Sequence, residues 1–504
     1  MTTIKKQELS RGVGILMPIS SLPSPYGIGT LGEESYHFAD FLKRIGCKYW
    51  QVLPVGPTSF GDSPYQSFSA FAGNPYFIDL DYLVEEELLL PGEINGLEWE
   101  QREDCIDYAR IYELRFQVLK KAFQRSEHLQ TKEYQEFCKE NSYWLKDYSF
   151  YMAIKGHFNN HEWLLWDEDI KLREPGAVKR YTILLEDEIR FWEFCQYKFR
   201  QQWDKLKAYV NKQGIQIIGD IPLYVSADSS DVWVHGNLFE LDERKNPINV
   251  AGVPPDAFSE DGQRWGNPLY RWDVMEKEEF NWWRERMKFS AKLYDVIRID
   301  HFIGIVNYYS IPTECPTAKE GEWRIGPGEK LTNVINESIS DAKIIAEDLG
   351  VITENVRDLI LKTGYPGMKI LEFGLVGPPD HEYLPHNYKT TNLVAYTGTH
   401  DNETLVGYIE GMKEEELNFA YRYFDVSTKS ELPYAIIRTL YSSIADVVMI
   451  QMQDILQLDN SARMNFPSTI GGNWQWRMKK SQYNELKEEI LLEYAFVFDR
   501  TSKA

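Results

Sequence analysis

Eight short apolar runs recur along the chain, at residues 14–20, 49–54, 215–219, 296–299, 343–346, 368–373, 393–396 and 447–451, each followed by a polar loop and a longer amphipathic stretch. Strands of a parallel sheet are covered by helices on their faces, so they read as unbroken Val/Ile/Leu runs instead of alternating ones. IQIIGD, DVIRID, AKIIAED and NLVAYTG all have that character. Eight such runs with helix-type patterns between them predict an α/β fold, a (β/α)8 or TIM barrel, with residues 1–504 forming a single catalytic unit.

The spacing is uneven. About 160 residues separate the second run from the third, far more than one strand-helix unit needs. That stretch has helical periodicity and good helix formers, as in WEQREDCIDYARIYELRFQVLKKAFQRS, and predicts an inserted, mainly helical subdomain at 81–205. A second insertion, 221–290, contains NPINVAGVPPDAFSEDGQRWGNPLYRW, whose Pro, Gly, Asn and Asp suit ordered irregular loops. Following a barrel strand, it is expected to form a lid over the catalytic face.

Composition narrows the partners. Hydrophobic residues at 43% and charged residues at 26% are ordinary globular values. A net charge of −22, without a long Lys/Arg run, repels a polyphosphate backbone and argues against nucleic acid. The N-terminus turns polar before any apolar stretch of signal-peptide length, and no run of about 18 apolar residues offers a membrane span. Five cysteines without a CxxC pair suit reduced thiols and a cytoplasmic setting, and disfavour structural zinc.

Four of the runs end at carboxylates: Asp220 in IIGDIP, Asp300 in VIRIDHF, Glu347 in IIAEDLG and Asp401 in YTGTHDNET. A strand-terminal Asp commonly caps a helix or closes a turn. Four converging on the catalytic face of one barrel, with Arg298 and His400 beside them, is harder to attribute to capping, because like charges so close are costly unless a site uses the spread in their proton affinities. Retaining glycoside transfer uses such a cluster: one ionised carboxylate attacks the anomeric carbon and a protonated one serves the leaving oxygen. Arg298, two positions before Asp300 and so on the same strand face, is placed to keep Asp300 ionised. Glu347, among apolar loops and other negative charges, suits the acid role, and His400 and Asp401 would hold sugar hydroxyls.

Five long segments, GDSPYQSFSAFAGNPYFIDL (61–80), VPPDAFSEDGQRWGNPLYRW (253–272), VIRIDHF (296–302), IIAEDLGVIT (344–353) and YTGTHDNET (396–404), resemble the amylomaltases or disproportionating enzymes, the 4-α-glucanotransferases of glycoside hydrolase family 77 in the α-amylase superfamily. The resemblance runs from about Gly12 to Arg477. It implies Asp300 as nucleophile, Glu347 as acid/base and Asp401 as transition-state stabiliser, with Asp220, Arg298, His301 and His400 binding substrate. Tyr65 and Trp265 would line the glucan cleft, and Pro254, Pro255 and Asp256 would belong to a lid on the acceptor side. It further implies α-1,4-glucans and maltooligosaccharides as substrates, with neither a metal nor an organic cofactor.

The chain also departs from the family pattern, with Ile303 where many relatives carry Arg, Tyr308 and Tyr309 where a Trp is usual, and Phe466 and Ser468 where a smaller residue and Gly are common. GIGTLG (27–32) matches the dinucleotide fingerprint, but Pro23, Ser24, Pro25 and Tyr26 interrupt the strand that must run into it, and no acidic residue has the required spacing. An α-glucan hydrolase with the same three carboxylates is the nearer alternative, since spacing cannot distinguish water from sugar as acceptor.

Overall fold

The computed structural model describes residues 8–59, 61–255 and 259–501. Its strands are β1 (Gly12–Leu16), β2 (Tyr49–Gln51), β3 (Gln216–Ile221), β4 (Asn249–Val253), β5 (Gln263–Pro268), β6 (Val296–Ile299), β7 (Asn307–Pro312), β8 (Glu322–Ile325), β9 (Lys343–Ala346), β10 (Gly367–Ile370), β11 (Leu393–Tyr396) and β12 (Val447–Gln451). One all-parallel sheet runs in the order β10-β11-β12-β1-β2-β3-β6-β9. Its two edges meet where Ala346 N, ending β9, donates to Pro366 O, just before β10, at 3.0 Å. The sheet is therefore an eight-stranded (β/α)8 barrel.

All eight predicted runs become barrel strands, with shifted ends. The first begins at Gly12 and stops at Leu16, and the run at 368–373 leaves the sheet after Ile370, where Leu371–Leu375 turns helical. A short apolar run does not by itself distinguish a buried strand from a buried helical turn.

Successive side chains of each strand point alternately into the barrel and out to the helices. Ile218, Val296, Ile345, Val394, Tyr396 and Met449 pack into a buried cluster inside the barrel, distinct from the larger core beneath the helices. The interior is crowded enough that a Cβ on Gly14 would lie 2.6 Å from Tyr49 Cβ and 2.7 Å from Met449 Sδ. Two residues beyond Ile218, Val296 and Ile345, the same inward face carries Asp220, Arg298 and Glu347. In the β3–β6 ladder Asp220 lies directly opposite Arg298.

Between β2 and β3 the chain forms the helices Tyr108–Arg125, Lys132–Glu140, Leu145–His157, Pro175–Leu184 and Glu186–Lys212. The last crosses residue 205, so the sequence-based boundary falls inside a helix. Its far half packs on the barrel, where Trp203 Nε1 donates to Leu293 O at 3.1 Å. The same helix anchors the loop after β2: the Gln196 amide bonds both backbone groups of Gly73, at 2.7 and 2.9 Å, and the Gln202 amide both of Asp79, at 2.7 and 3.1 Å.

The segment whose composition suggested irregular loop contains β4 and β5. With β7 and β8 they form an antiparallel sheet in the order β5-β4-β7-β8, over a small core of Val250, Tyr309, Ile311, Cys315 and Ala318. Its partners lie downstream at 307–325, which local composition does not reveal. Among the described residues no helix is long and apolar enough to cross a membrane.

Candidate active site

The carboxyl ends of β3, β6, β9 and β11 bring the sequence-predicted residues together. Arg298 is the centre. Its Nη1 donates to both oxygens of Asp220 at 2.7 Å and to Asp300 Oδ1 at 3.0 Å. Asp220 is fully buried and Arg298 3% exposed, whereas the Asp300 side chain keeps 30% exposure to the cleft. One guanidinium thus holds a buried carboxylate behind it and a cleft-facing one in front, in the low-dielectric setting where charge-assisted bonds are strongest.

Glu347 follows β9 and is 7% exposed. Its Oε2 accepts from His301 N at 2.6 Å and its Oε1 from Leu349 N at 2.7 Å. Those bonds and the charge of Arg298 favour the carboxylate, but burial works more strongly the other way, with Asp300 adding repulsion, and the carboxyl is pushed up to about 8. Since His301 follows Asp300, the first of these bonds ties Glu347 to the backbone next to Asp300.

His301 itself adopts a left-handed backbone, φ 52°. Burial holds its imidazole down at about 4 despite the charge of Asp300, so it is neutral at neutral pH. Its Nε2 is enclosed with no hydrogen-bond partner among the described residues, and Trp265 on β5 meets the ring edge-on at 4.8 Å.

His400 and Asp401 lie in the loop after β11. His400 Nε2 is 3.4 Å from Asp401 Oδ2, and Asn465 Nδ2 donates to Asp401 Oδ1 at 2.6 Å. The Asp401 side chain is 47% exposed. Its surroundings act to raise the carboxyl, but the charge and hydrogen bond of His400, with help from Asn465 and Arg298, outweigh them and bring it to about 2. In return Asp401 raises His400 above its usual range against the opposing effect of burial.

Tyr65, in the loop after β2, joins the two corners. A bridge between Thr58 and Ser67 folds that loop back on itself. The Tyr65 hydroxyl donates to Asp220 Oδ2 at 2.9 Å and lies 3.4 Å from His400 Nδ1, and its ring stacks on His400 at 5.0 Å.

The structure therefore gathers Tyr65, Asp220, Arg298, Asp300, His301, Glu347, His400 and Asp401 at one end of the barrel, with Trp265 against His301. Asp256 lies outside the described residues. Sequence reasoning missed Asn465 and also Trp474, whose ring lies 5.8 Å from both Tyr65 and His400. Asn465 sits in RMNFPST, a stretch that stood out only for its departures from the family pattern, and it reaches Asp401 across 64 residues. Of the departures, Ile303 is buried, whereas Phe466 is exposed and lies under Arg463, whose Cζ is 4.3 Å from its ring centre.

Residues 17–483 match the family described as 4-alpha-glucanotransferase, glycosyl hydrolase 77. A 4-alpha-glucanotransferase of Clostridium butyricum is 48% identical over 478 residues, covering 94% of this chain and 98% of its own. One from Thermus thermophilus is 44% identical, covering 94% and 95%. Among solved structures, an amylomaltase from Streptococcus agalactiae in complex with acarbose superposes with a TM-score of 0.94 at 43% identity, covering 98% of this chain and all of the other.

Proposed function

The chain belongs to the 4-α-glucanotransferase family, glycosyl hydrolase family 77, and from that premise we propose how its own residues move a segment of α-1,4-glucan to another sugar. Asp300 attacks the anomeric carbon of the donor while Glu347 gives its proton to the departing glycosidic oxygen. The C1–O bond breaks, an ester between C1 and Asp300 forms, and the shortened glucan leaves with a free 4-hydroxyl. An acceptor sugar then places its 4-hydroxyl against C1, Glu347 takes that proton, and Asp300 departs as carboxylate. Two inversions retain the α configuration.

The observation that carries this reading is the opposition between Asp300 and Glu347. Asp300 is ion-paired to Arg298 and open to the cleft, while Glu347 is buried, neutral at neutral pH and hydrogen-bonded to the backbone beside Asp300. Asp401, ionised with His400 at its side, suits the hydroxyls and the positive charge of an oxocarbenium-like state. Tyr65, Trp265 and the unpartnered Nε2 of His301 supply ring faces and a polar contact for the bound glucose. The S. agalactiae neighbour holds acarbose, and α-1,4-glucans and maltooligosaccharides are the substrates we assign here. We also assign a cytoplasmic location, and to Asp256 a place in the acceptor-side lid.

Incubation of the purified protein with maltotriose tests the reading. Transfer gives glucose and a ladder of longer oligomers, whereas glucose and maltose alone would show water as the acceptor and overturn it.

A further inference from the structure

Glu372 lies in the first turn of the short helix Leu371–Leu375 after β10 and is 3% exposed. Its Oε1 is shut off from solvent and lacks a hydrogen-bond partner among the described residues. The side chain lies directly beneath the loop that carries His400 and Asp401: a Cβ on Gly398 would sit 3.0 Å from Glu372 Oε1, from Asn402 Cβ and from Gln451 Nε2. Asn402 Oδ1 is already engaged, accepting from Thr399 N and Thr399 Oγ1, both at 2.9 Å, which leaves the Asn402 amide nitrogen for Glu372. Thr399 Oγ1 in turn accepts from Asp401 N at 3.3 Å. A continuous chain of polar contacts thus runs from Glu372 through Asn402 and Thr399 to the backbone of Asp401. Asp454 fixes the ends of the same loop, accepting from Thr397 Oγ1 at 2.5 Å and Leu405 N at 2.7 Å.

We propose that Glu372 is a positioning residue for His400 and Asp401, acting as a hydrogen-bonding group under Gly398 and Asn402. This rests on the reading of Asp401 given above. The groups around Glu372 agree with an uncharged state: burial, then Asp454 and Glu403, raise its carboxyl well above the usual range, while Arg463 and Asn402 oppose them. Arg463 is drawn instead toward Glu403, 3.7 Å away. An amide should therefore replace the carboxyl far better than an apolar side chain of similar size, because only the latter removes the contact.

Disproportionation of maltotriose by Glu372→Gln, Glu372→Leu and Asn402→Ala, with kcat and KM separated and folding checked by circular dichroism, is the test. We expect Glu372→Leu to lose about 30-fold in kcat with little change in KM, since a displaced catalytic group costs turnover more than ground-state binding. Glu372→Gln should recover turnover to within about threefold of wild type, a rescue that a need for charge at this position would not allow. If Glu372→Leu fails to fold, Asn402→Ala breaks the same chain from the solvent side and should lose about tenfold in kcat. Full turnover in a folded Glu372→Leu or in Asn402→Ala, or a Gln variant as impaired as the Leu variant, would overturn the proposal. Asp401→Asn is run alongside: full activity there would instead sink the assignment of Asp401.

Discussion

The corner around Glu347 and the corner around Asp401 lie at the same end of one barrel, yet they drive two carboxyls in opposite directions. Glu347 is enclosed and takes its hydrogen bonds from uncharged backbone amides, so burial prevails over the charge of Arg298 and the group rises to about 8. Asp401 is half open to the cleft and has His400 and Asn465 beside it, so attraction overcomes burial and the group falls to about 2. Residue type decides neither outcome. What separates the two carboxyls here is whether a group that can carry positive charge stands among the partners: His400 does so beside Asp401, whereas Glu347 is bonded to backbone amides.

Substitution at Glu347, the proposed acid, should give the largest effect. Glu347→Gln is expected to cost about 10³-fold in transfer between maltooligosaccharides, and far less with a donor whose leaving group needs no proton, such as α-glucosyl fluoride. In the wild type, activity should fall as pH rises through about 8, where Glu347 gives up its proton, and a kcat/KM profile on maltotriose checks this. Asp401→Asn should cost about 10²-fold with either donor, since it removes charge stabilisation instead of a proton. A dependence on leaving group as steep as that of Glu347→Gln would erase the distinction between the corners.

His400→Gln sharpens it further. Without the imidazole the Asp401 carboxyl should rise, so we expect about a tenfold loss near neutral pH and an acidic limb shifted to higher pH.

The smallest effect is thermodynamic, and its sign differs between the corners. The fold raises Glu347 above its unfolded value, so its contribution is complete at low pH and is lost as pH climbs from about 4.5 to about 8. Glu347→Gln should therefore be more stable than wild type at pH 8, by a few degrees in Tm, with the gap closing toward pH 5. The fold depresses Asp401, whose contribution is present above its unfolded value of 3.8 and is lost as pH falls toward 2. Asp401→Asn should accordingly flatten the acid side of the stability profile and leave the alkaline side alone. Thermal melts from pH 3 to 9 read both slopes.

The barrel was legible because its strands are buried on both faces, which writes β3, β6, β9 and β11 into the sequence as unbroken apolar runs ending in polar residues. Asp220, Arg298, Asp300, Glu347 and Asp401 were legible for the same reason, since strand ends converge wherever strands close into a barrel. The antiparallel sheet was not. Its pairing joins β4 to β7 across more than fifty residues, and β5 carries Gly266 and Pro268, which read locally as turn. Asn465 and Trp474 were hidden similarly, because their only link to His400 and Asp401 is spatial. Glu372 was hidden by its neighbours: it falls inside the apolar run 368–373 that reads as a strand, and only the packing under Gly398 shows that it faces inward.

The pairing of Asp220 opposite Arg298 has a consequence for how the enzyme comes into being. Side chains alternate across the sheet, so a slip of β6 by one residue against β3 would turn the guanidinium outward and leave Asp220 buried without its counter-charge, at a cost of several kcal/mol. Misaligned barrels are thereby penalised by the same ion pair that later serves Asp300. A molecule of this chain that has closed its barrel correctly has, in that step, already set a guanidinium beside Asp300.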